Sequence, residues 1–213
     1  MNRWTSERLR KIVKIHNAEP ETIIDVGVGY GTPQLYDAFE DQELVLIEPL
    51  IDYDRYIKGI LEKRRGRYVA SAVGAVNDDI IMNIDKKYLQ RSSVGCRLEM
   101  READTRWEKR KVRLETLDTI MERENVGKPY GLKIDTEGHE IEVIKGARQV
   151  LKNTTFVISE ISVVPRFVGG YSFVDFLKVM DEMCFRLMDI LDINPKGDAP
   201  PPARIVDAIF IRK

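Results

Sequence analysis

Cysteine is scarce in this chain: 2 in 213 residues, Cys96 and Cys184, far apart and without a Cys-x-x-Cys pair. That excludes a disulfide scaffold and a thiolate zinc site, and it fits a reducing compartment. Neither sign of charge is in excess, with 34 Lys and Arg against 35 Asp and Glu. A balanced charge gives no global field to recruit nucleic acid or an anionic membrane, so partners must be argued from a site. Long apolar runs are also missing; none approaches a membrane span. The opening Met1-Asn2-Arg3-Trp4-Thr5 leads into a charged helical pattern and not into the apolar core of a secretory signal. These absences lead us to expect a soluble, cytoplasmic protein, although a lipid-linked substrate stays compatible with them.

What is present is enough apolar material for one sizeable core, 43% of 213 residues, and hence for a single domain over 1–213. The spacing predicts an N-terminal helix (Thr5 to His16, within a leading segment 1–20) and a buried strand at Thr22 to Val26. Thr32-Pro33 reads as an N-cap followed by proline at the first helical position, opening a helix through Phe39. Glu43 to Glu48 is a second strand and Ile51 to Arg64 a helix. Further strands are expected at Tyr68 to Val73, Asp79 to Ile84 and Lys111 to Glu115, then a helix from Thr116 to Glu124. After a strand at 132–135, a helix from Glu140 to Leu151 leads to the apolar run Phe156 to Glu160.

Repeated strand-helix alternation means an α/β fold, a largely parallel sheet with helices on both faces. The last quarter changes rhythm: helix Phe173 to Met183, strand Phe185 to Ile190, a Pro-rich loop at Asn194 to Pro202 and strand Ile205 to Ile211. Two strands joined without room for a helix pair antiparallel. The charged segment Lys86 to Arg110 reads either as a solvated excursion between strands or as a lid over a substrate.

Asp25-Val26-Gly27-Val28-Gly29-Tyr30-Gly31 joins the first strand to the helix at Pro33. Glycines let a backbone turn sharply and approach a ligand, and the free N–H groups of a helix start favour an anion. A dinucleotide fingerprint requires glycine at 27, 29 and 32, and position 32 is Thr32. The G-x-G-x-G spacing suits S-adenosylmethionine, which carries a carboxylate in place of a pyrophosphate. Glu48, ending the second strand, can accept hydrogen bonds from both ribose hydroxyls. Ser71, Ala72 and Val73, ending the third, are expected beside the adenine. The cofactor set is thus Asp25, Gly27, Val28, Gly29, Tyr30, Gly31, Glu48, Ser71, Ala72 and Val73, with Asp135 completing it.

The run Leu132-Lys133-Ile134-Asp135-Thr136-Glu137-Gly138-His139-Glu140-Ile141 puts an ionisable cluster where a buried strand ends, the edge at which open α/β sheets place their chemistry. Ion pairs with neighbouring strands are the competing explanation. Together with Asp25 to Gly31, Glu48-Pro49, Arg91-Ser92-Ser93, Leu117-Asp118 and Asp207-Ala208-Ile209-Phe210-Ile211-Arg212, this run resembles the FkbM family of S-adenosylmethionine-dependent methyltransferases over about Thr22 to Arg212. The resemblance implies a Rossmann-like class I methyltransferase fold, seven strands with the last antiparallel, and O-methylation of a hydroxyl on a sugar, glycolipid or secondary metabolite. The chain departs from the family at Val28-Gly29, where Ala-Asn is usual, and at His139, where a small residue is frequent.

For methyl transfer the acceptor oxygen must be aligned behind the methyl group and relieved of a proton. Lys133 and Asp135 share one face of their strand, and Asp135 lies nearer the carboxyl edge, which makes it the expected contact to the acceptor. Glu137 could hold the acceptor, take its proton or bind a divalent ion. Glu160, ending the next strand, could converge with Asp135 and Glu137 on magnesium or calcium, or all three could be a hydrogen-bonding platform. His139 is either a general base or a partly exposed helix residue. Lys133 either neutralises buried carboxylates or orients the substrate. Trp4, Trp107 and Tyr171 could line an acceptor cleft. Two rivals share the sheet: a nicotinamide oxidoreductase, disfavoured by Thr32, and a non-catalytic module that binds an adenosine cofactor.

Overall fold

A period of two along β1 (Thr22–Val26) sends Ile24 and Val26 to one face and Ile23 to the other. All five residues are buried, as in a central strand covered on both sides. The computed structural model that carries this strand describes residues 4–95, 97, 98, 100, 105–194 and 204–213. In chain order the elements are α1 (Ser6–Ile15), β1, α2 (Pro33–Ala38), β2 (Glu43–Ile47), α3 (Asp54–Leu61), β3 (Gly66–Val69), β4 (Ala72–Val73), β5 (Asp78–Asp85) and β6 (Trp107–Glu115). There follow α4 (Leu117–Glu124), β7 (Tyr130–Ile134), α5 (Glu140–Lys145), α6 (Arg148–Lys152), β8 (Thr154–Ser162), α7 (Phe173–Glu182), β9 (Phe185–Asn194) and β10 (Ile205–Arg212).

The main sheet has seven strands in the order β3-β2-β1-β7-β8-β10-β9. Strands β3 to β8 in that order run parallel, and β10 is antiparallel to both β8 and β9. The expected architecture is therefore present, with the closing strand inserted beside β8. Leu117, Val143, Val150 and Phe176, from α4 to α7, pack on the face carrying Ile24. Leu9, Leu35 and Ile57, from α1 to α3, pack on the face carrying Ile23. No helix among the described residues is long and apolar enough to cross a membrane.

Four expected segments differ. The strand foreseen at Tyr68 to Val73 is two strands: β3 ends at Val69, and β4 belongs to a separate three-stranded sheet, β4-β6-β5. In that sheet β5 and β6 pair antiparallel from Asp78↔Leu114 to Asp85↔Trp107, so part of 86–110 is strand and the hairpin stands outside the main sheet. The helix foreseen from Glu140 to Leu151 breaks at Gly146, where the chain passes so close to the Gly74 carbonyl oxygen that a Cβ would lie 2.0 Å from it. The start of the helix foreseen at Ile51 is a 3-10 turn over Ile51–Tyr53. Most of the Pro-rich loop, and Cys96, lie outside the described residues.

Candidate active site

Gly27, Gly29 and Gly31 all have positive φ, +79°, +52° and +97°. At Gly27 this is compounded by crowding: a Cβ would sit 1.9 Å from the Asp135 carbonyl oxygen, so the loop after β1 lies directly on the chain leaving β7. Gly29 N–H donates to Glu48 Oε2 at 3.0 Å, and Leu50 N–H to Oε1 at 3.0 Å. Each oxygen retains capacity for another donor. Burial pushes the Glu48 carboxyl up to about 7, against the pull of those two N–H groups.

Asp25 is placed differently from the cofactor contact expected of it. It is fully buried and accepts from Thr32 Oγ1 at 3.0 Å, Tyr36 Oη at 2.6 Å and Lys133 Nζ at 3.3 Å, and it does not line the cavity. It pins the glycine loop from beneath. Thr32 does occupy the N-cap position of α2 with Pro33 at the first helical position, but its hydroxyl is engaged by Asp25 and makes no cap hydrogen bond.

A cavity of about 380 Å³ joins the two halves of the sequence-derived set. Gly27, Val28, Gly29, Tyr30, Gly31, Glu48, Ser71, Ala72 and Val73 line it together with Lys133, Asp135, Glu137, His139 and Glu160. Leu89, Gln90, Ser92 and Val94, from the described part of 86–110, complete the wall. Trp4, expected at an acceptor cleft, also lines it, as do Tyr53, Asp192 and Asp207, which the sequence did not single out as site residues. Asp207 faces Glu160 in register because β10 runs antiparallel to β8, a pairing that no local pattern reveals. Its motif was the only available signal. Trp107 and Tyr171 do not reach the cavity, and the Tyr171 hydroxyl instead donates to Glu140.

The acid-rich edge is organised by cations. Lys133 Nζ stands 3.3 Å from Asp25 Oδ1 and 3.3 Å from Asp135 Oδ2. Burial would lower this ammonium, but the charges of Asp25, Asp135 and Asp207 outweigh it and hold the pKa above the usual lysine value. Lys133 is thus a neutralising partner of buried carboxylates. Asp135, just beyond β7, keeps about a third of its side chain exposed (33%). Glu137 sits at φ +51°, and its Oε2 accepts from Arg97 at 2.8 Å and also from Arg166. Arg166 reaches Glu160 Oε2 at 3.4 Å as well. Burial raises Glu160 well above the carboxylate range, reinforced by Asp135 and Glu137. Burial, then Asp135, pushes Asp207 up to about 6, although it accepts from Trp4 Nε1 at 3.3 Å.

Glu140 opens α5, where negative charge at a first helical turn is favourable, and it also shapes the loop. Its Oε1 accepts from the N–H groups of Thr136 (3.1 Å) and Gly138 (2.9 Å), which closes residues 136–138 into a turn. His139 stands at the N-cap position of α5. Burial pulls its imidazole below the usual value, and Nε2, packed against Gly74, has no hydrogen-bond partner among the described residues.

The expected metal set fails on geometry. Among the described residues no group of three His, Cys, Asp or Glu side chains could hold a metal ion. Glu137 and Glu160 are instead tied to Arg97 and Arg166, so Asp135, Glu137 and Glu160 do not converge as a magnesium or calcium ligand set.

Comparison with known proteins bears on the fold and the family. A crystal structure of a methyltransferase FkbM from Methylobacillus flagellatus KT superposes with a TM-score of 0.54 at 14% identity, covering 90% of this chain and 43% of that one. Magnesium protoporphyrin IX methyltransferase (ChlM) from Synechocystis PCC 6803 with bound SAM gives 0.51 at 8% identity, covering 98% of this chain and 78% of that one. At such identities the likeness concerns the fold. In sequence, 44 residues are 48% identical to the hexuronic acid methyltransferase AglP of Haloferax volcanii, 21% of this chain and 18% of that protein. The chain therefore spans less than half of the Methylobacillus chain, and its match to the Haloferax protein is shorter still. The methyltransferase FkbM domain model matches residues 25–187, most of the length, and the chain belongs to that family.

Proposed function

We propose that the chain is an S-adenosylmethionine-dependent O-methyltransferase acting on a hydroxyl of a sugar, glycolipid or secondary metabolite. One observation carries this reading: the glycine loop with Glu48 and the cluster at 133–139 face a single cavity, within the size range of small-molecule sites. The name of the Haloferax relative, a hexuronic acid methyltransferase, supports a sugar-related acceptor.

The residues fit the donor at three points. The loop Gly27 to Gly31 is held by its glycines directly against the chain leaving β7 and lines the cavity, Glu48 has free acceptor capacity for ribose hydroxyls, and Ser71 to Val73 offer a partly apolar wall for adenine. S-adenosylmethionine, when bound, supplies an electrophilic sulfonium methyl for in-line displacement by the acceptor oxygen, leaving S-adenosylhomocysteine. Asp135, held by Lys133, orients the acceptor hydroxyl. His139, whose imidazole is uncharged at neutral pH, takes the proton as the new C–O bond forms. Glu137 is committed to Arg97 and Arg166 and acts by positioning them.

Incubation with S-adenosylmethionine and a panel of glycans, lipids and metabolites, read by mass spectrometry, tests this. The expected product is one acceptor class bearing an added O-methyl group. In the same assay Asp135→Ala should keep cofactor binding and lose transfer, and at saturating S-adenosylmethionine, where the titration of Glu48 no longer limits the rate, His139→Gln should lower kcat by roughly 10²-fold. Unchanged turnover in either variant would remove that residue from its role.

A further inference from the structure

A second cavity, about 370 Å³, adjoins the first through Ile205, which lines both. Arg91, Arg97, Arg166 and Arg204 line it, and none of its described lining residues is acidic. The two cavities are tied chemically as well as spatially. Glu137, in the wall of the first, is bound by Arg97 and Arg166, in the wall of the second.

The arginine wall is built, not incidental. Arg97 and Arg166 are both buried, and both guanidinium carbons lie over the Phe167 ring, at 5.0 and 5.2 Å from its centroid. Phe167 is itself locked in place: a Cβ on Gly138 would come within 2.4 Å of the ring, and Phe167 pairs with Arg97 in an isolated antiparallel bridge. Arg166 has the Nε of its guanidinium buried and without a hydrogen-bond partner among the described residues, while its terminal nitrogens reach Glu137 and Glu160. Arg204 is exposed and forms no ion pair among the described residues. Arg91 stands 3.9 Å from Asp85, and Arg97 and Arg166 share Glu137, so among the described residues four arginines line a space beside fewer carboxylates than cations, and guanidinium groups suit the planar, bidentate geometry of carboxylate and phosphate.

We propose that this cavity receives an anionic group of the acceptor, a carboxylate or a phosphate, while the acceptor hydroxyl reaches Asp135 in the neighbouring cavity. The acceptor is then an acidic sugar or a phosphorylated metabolite. This rests on the methyltransferase reading and narrows its substrate class.

The test is ligand-observed NMR and calorimetry on the full chain with saturating S-adenosylhomocysteine. The probes are methyl glucuronide, glucose 1-phosphate, neutral methyl glucoside and inorganic phosphate. At least one anionic sugar should bind and methyl glucoside should not, the better of the two anions identifying carboxylate or phosphate as the group recognised. Arg204→Ala should weaken that anionic sugar at least tenfold and leave S-adenosylhomocysteine binding unchanged. Equal binding of methyl glucoside, no binding of either anionic sugar, or anion affinity unaltered by Arg204→Ala would overturn the proposal. Inorganic phosphate binding as tightly as glucose 1-phosphate, without any contribution from the sugar, would overturn the acceptor assignment. Should anionic sugars bind in an Arg204-dependent way while S-adenosylhomocysteine does not bind, the methyltransferase reading fails and the anion cavity stands.

Discussion

Glu48 concentrates the residue-level chemistry of the proposed donor side. Its carboxyl is buried, two backbone N–H groups point at it, and its pKa is pushed up to about 7 from 4.5. In the free protein a carboxyl raised in this way contributes stability that is complete below its unfolded value near 4.5 and is lost as pH rises through about 7. Donor binding has the opposite sign, since two ribose hydroxyls are best accepted by the ionised form. Affinity for S-adenosylhomocysteine should therefore rise between pH 6 and 8, with a slope of up to about tenfold per pH unit below the pKa. Glu48→Gln should flatten it. Calorimetric titrations across that range check both statements, and a flat profile in the unaltered protein would contradict a ribose contact by Glu48. Asp25 shows the limit of reading such roles from position: an acid two residues before Gly27 looks like a ligand contact, yet three internal partners consume it.

At the scale of elements, most of what positions the site follows from short-range pattern. Short apolar runs mark β1, β2 and β8, alternation with Lys133 and Asp135 marks β7, and the Thr32-Pro33 step marks the start of α2. What stayed hidden depends on partners distant in sequence. The bend between β3 and β4, the β5–β6 hairpin and the break at Gly146 all follow from contacts with other elements, above all the Gly74 carbonyl against Gly146. This yields a paired prediction about glycines. Gly146→Ala forces a methyl group to within 2.0 Å of that carbonyl and should destabilise the fold by roughly 1–3 kcal/mol. Gly59→Ala, inside α3 with nothing within 4 Å, should stabilise it by up to about 1 kcal/mol. Urea unfolding of both variants makes the comparison; equal midpoints would mean that residue 146 tolerates a Cβ against the Gly74 carbonyl.

For the whole molecule, the parallel order β2-β1-β7-β8 brings Glu48, the glycine loop, Asp135 and Glu160 to one edge, and antiparallel β10 adds Asp207 beside them. The glycine loop was legible because a tight turn against a neighbouring strand leaves glycines as its trace. The acid cluster was legible as a run of residue types. Its partners were not: Arg97, Arg166 and Asp207 approach from the charged excursion, the loop after β8 and the last strand, and only the folded chain shows that Glu137 answers to arginines. The central claim is that the cavity at this edge holds a sulfonium methyl donor. Titration of the full chain with S-adenosylhomocysteine, with NAD in a parallel cell, tests it most directly. Saturable one-to-one binding of the thioether, weakened at least tenfold by Gly29→Val and not matched by NAD, is the expected result; NAD binding with no affinity for S-adenosylhomocysteine would contradict the account.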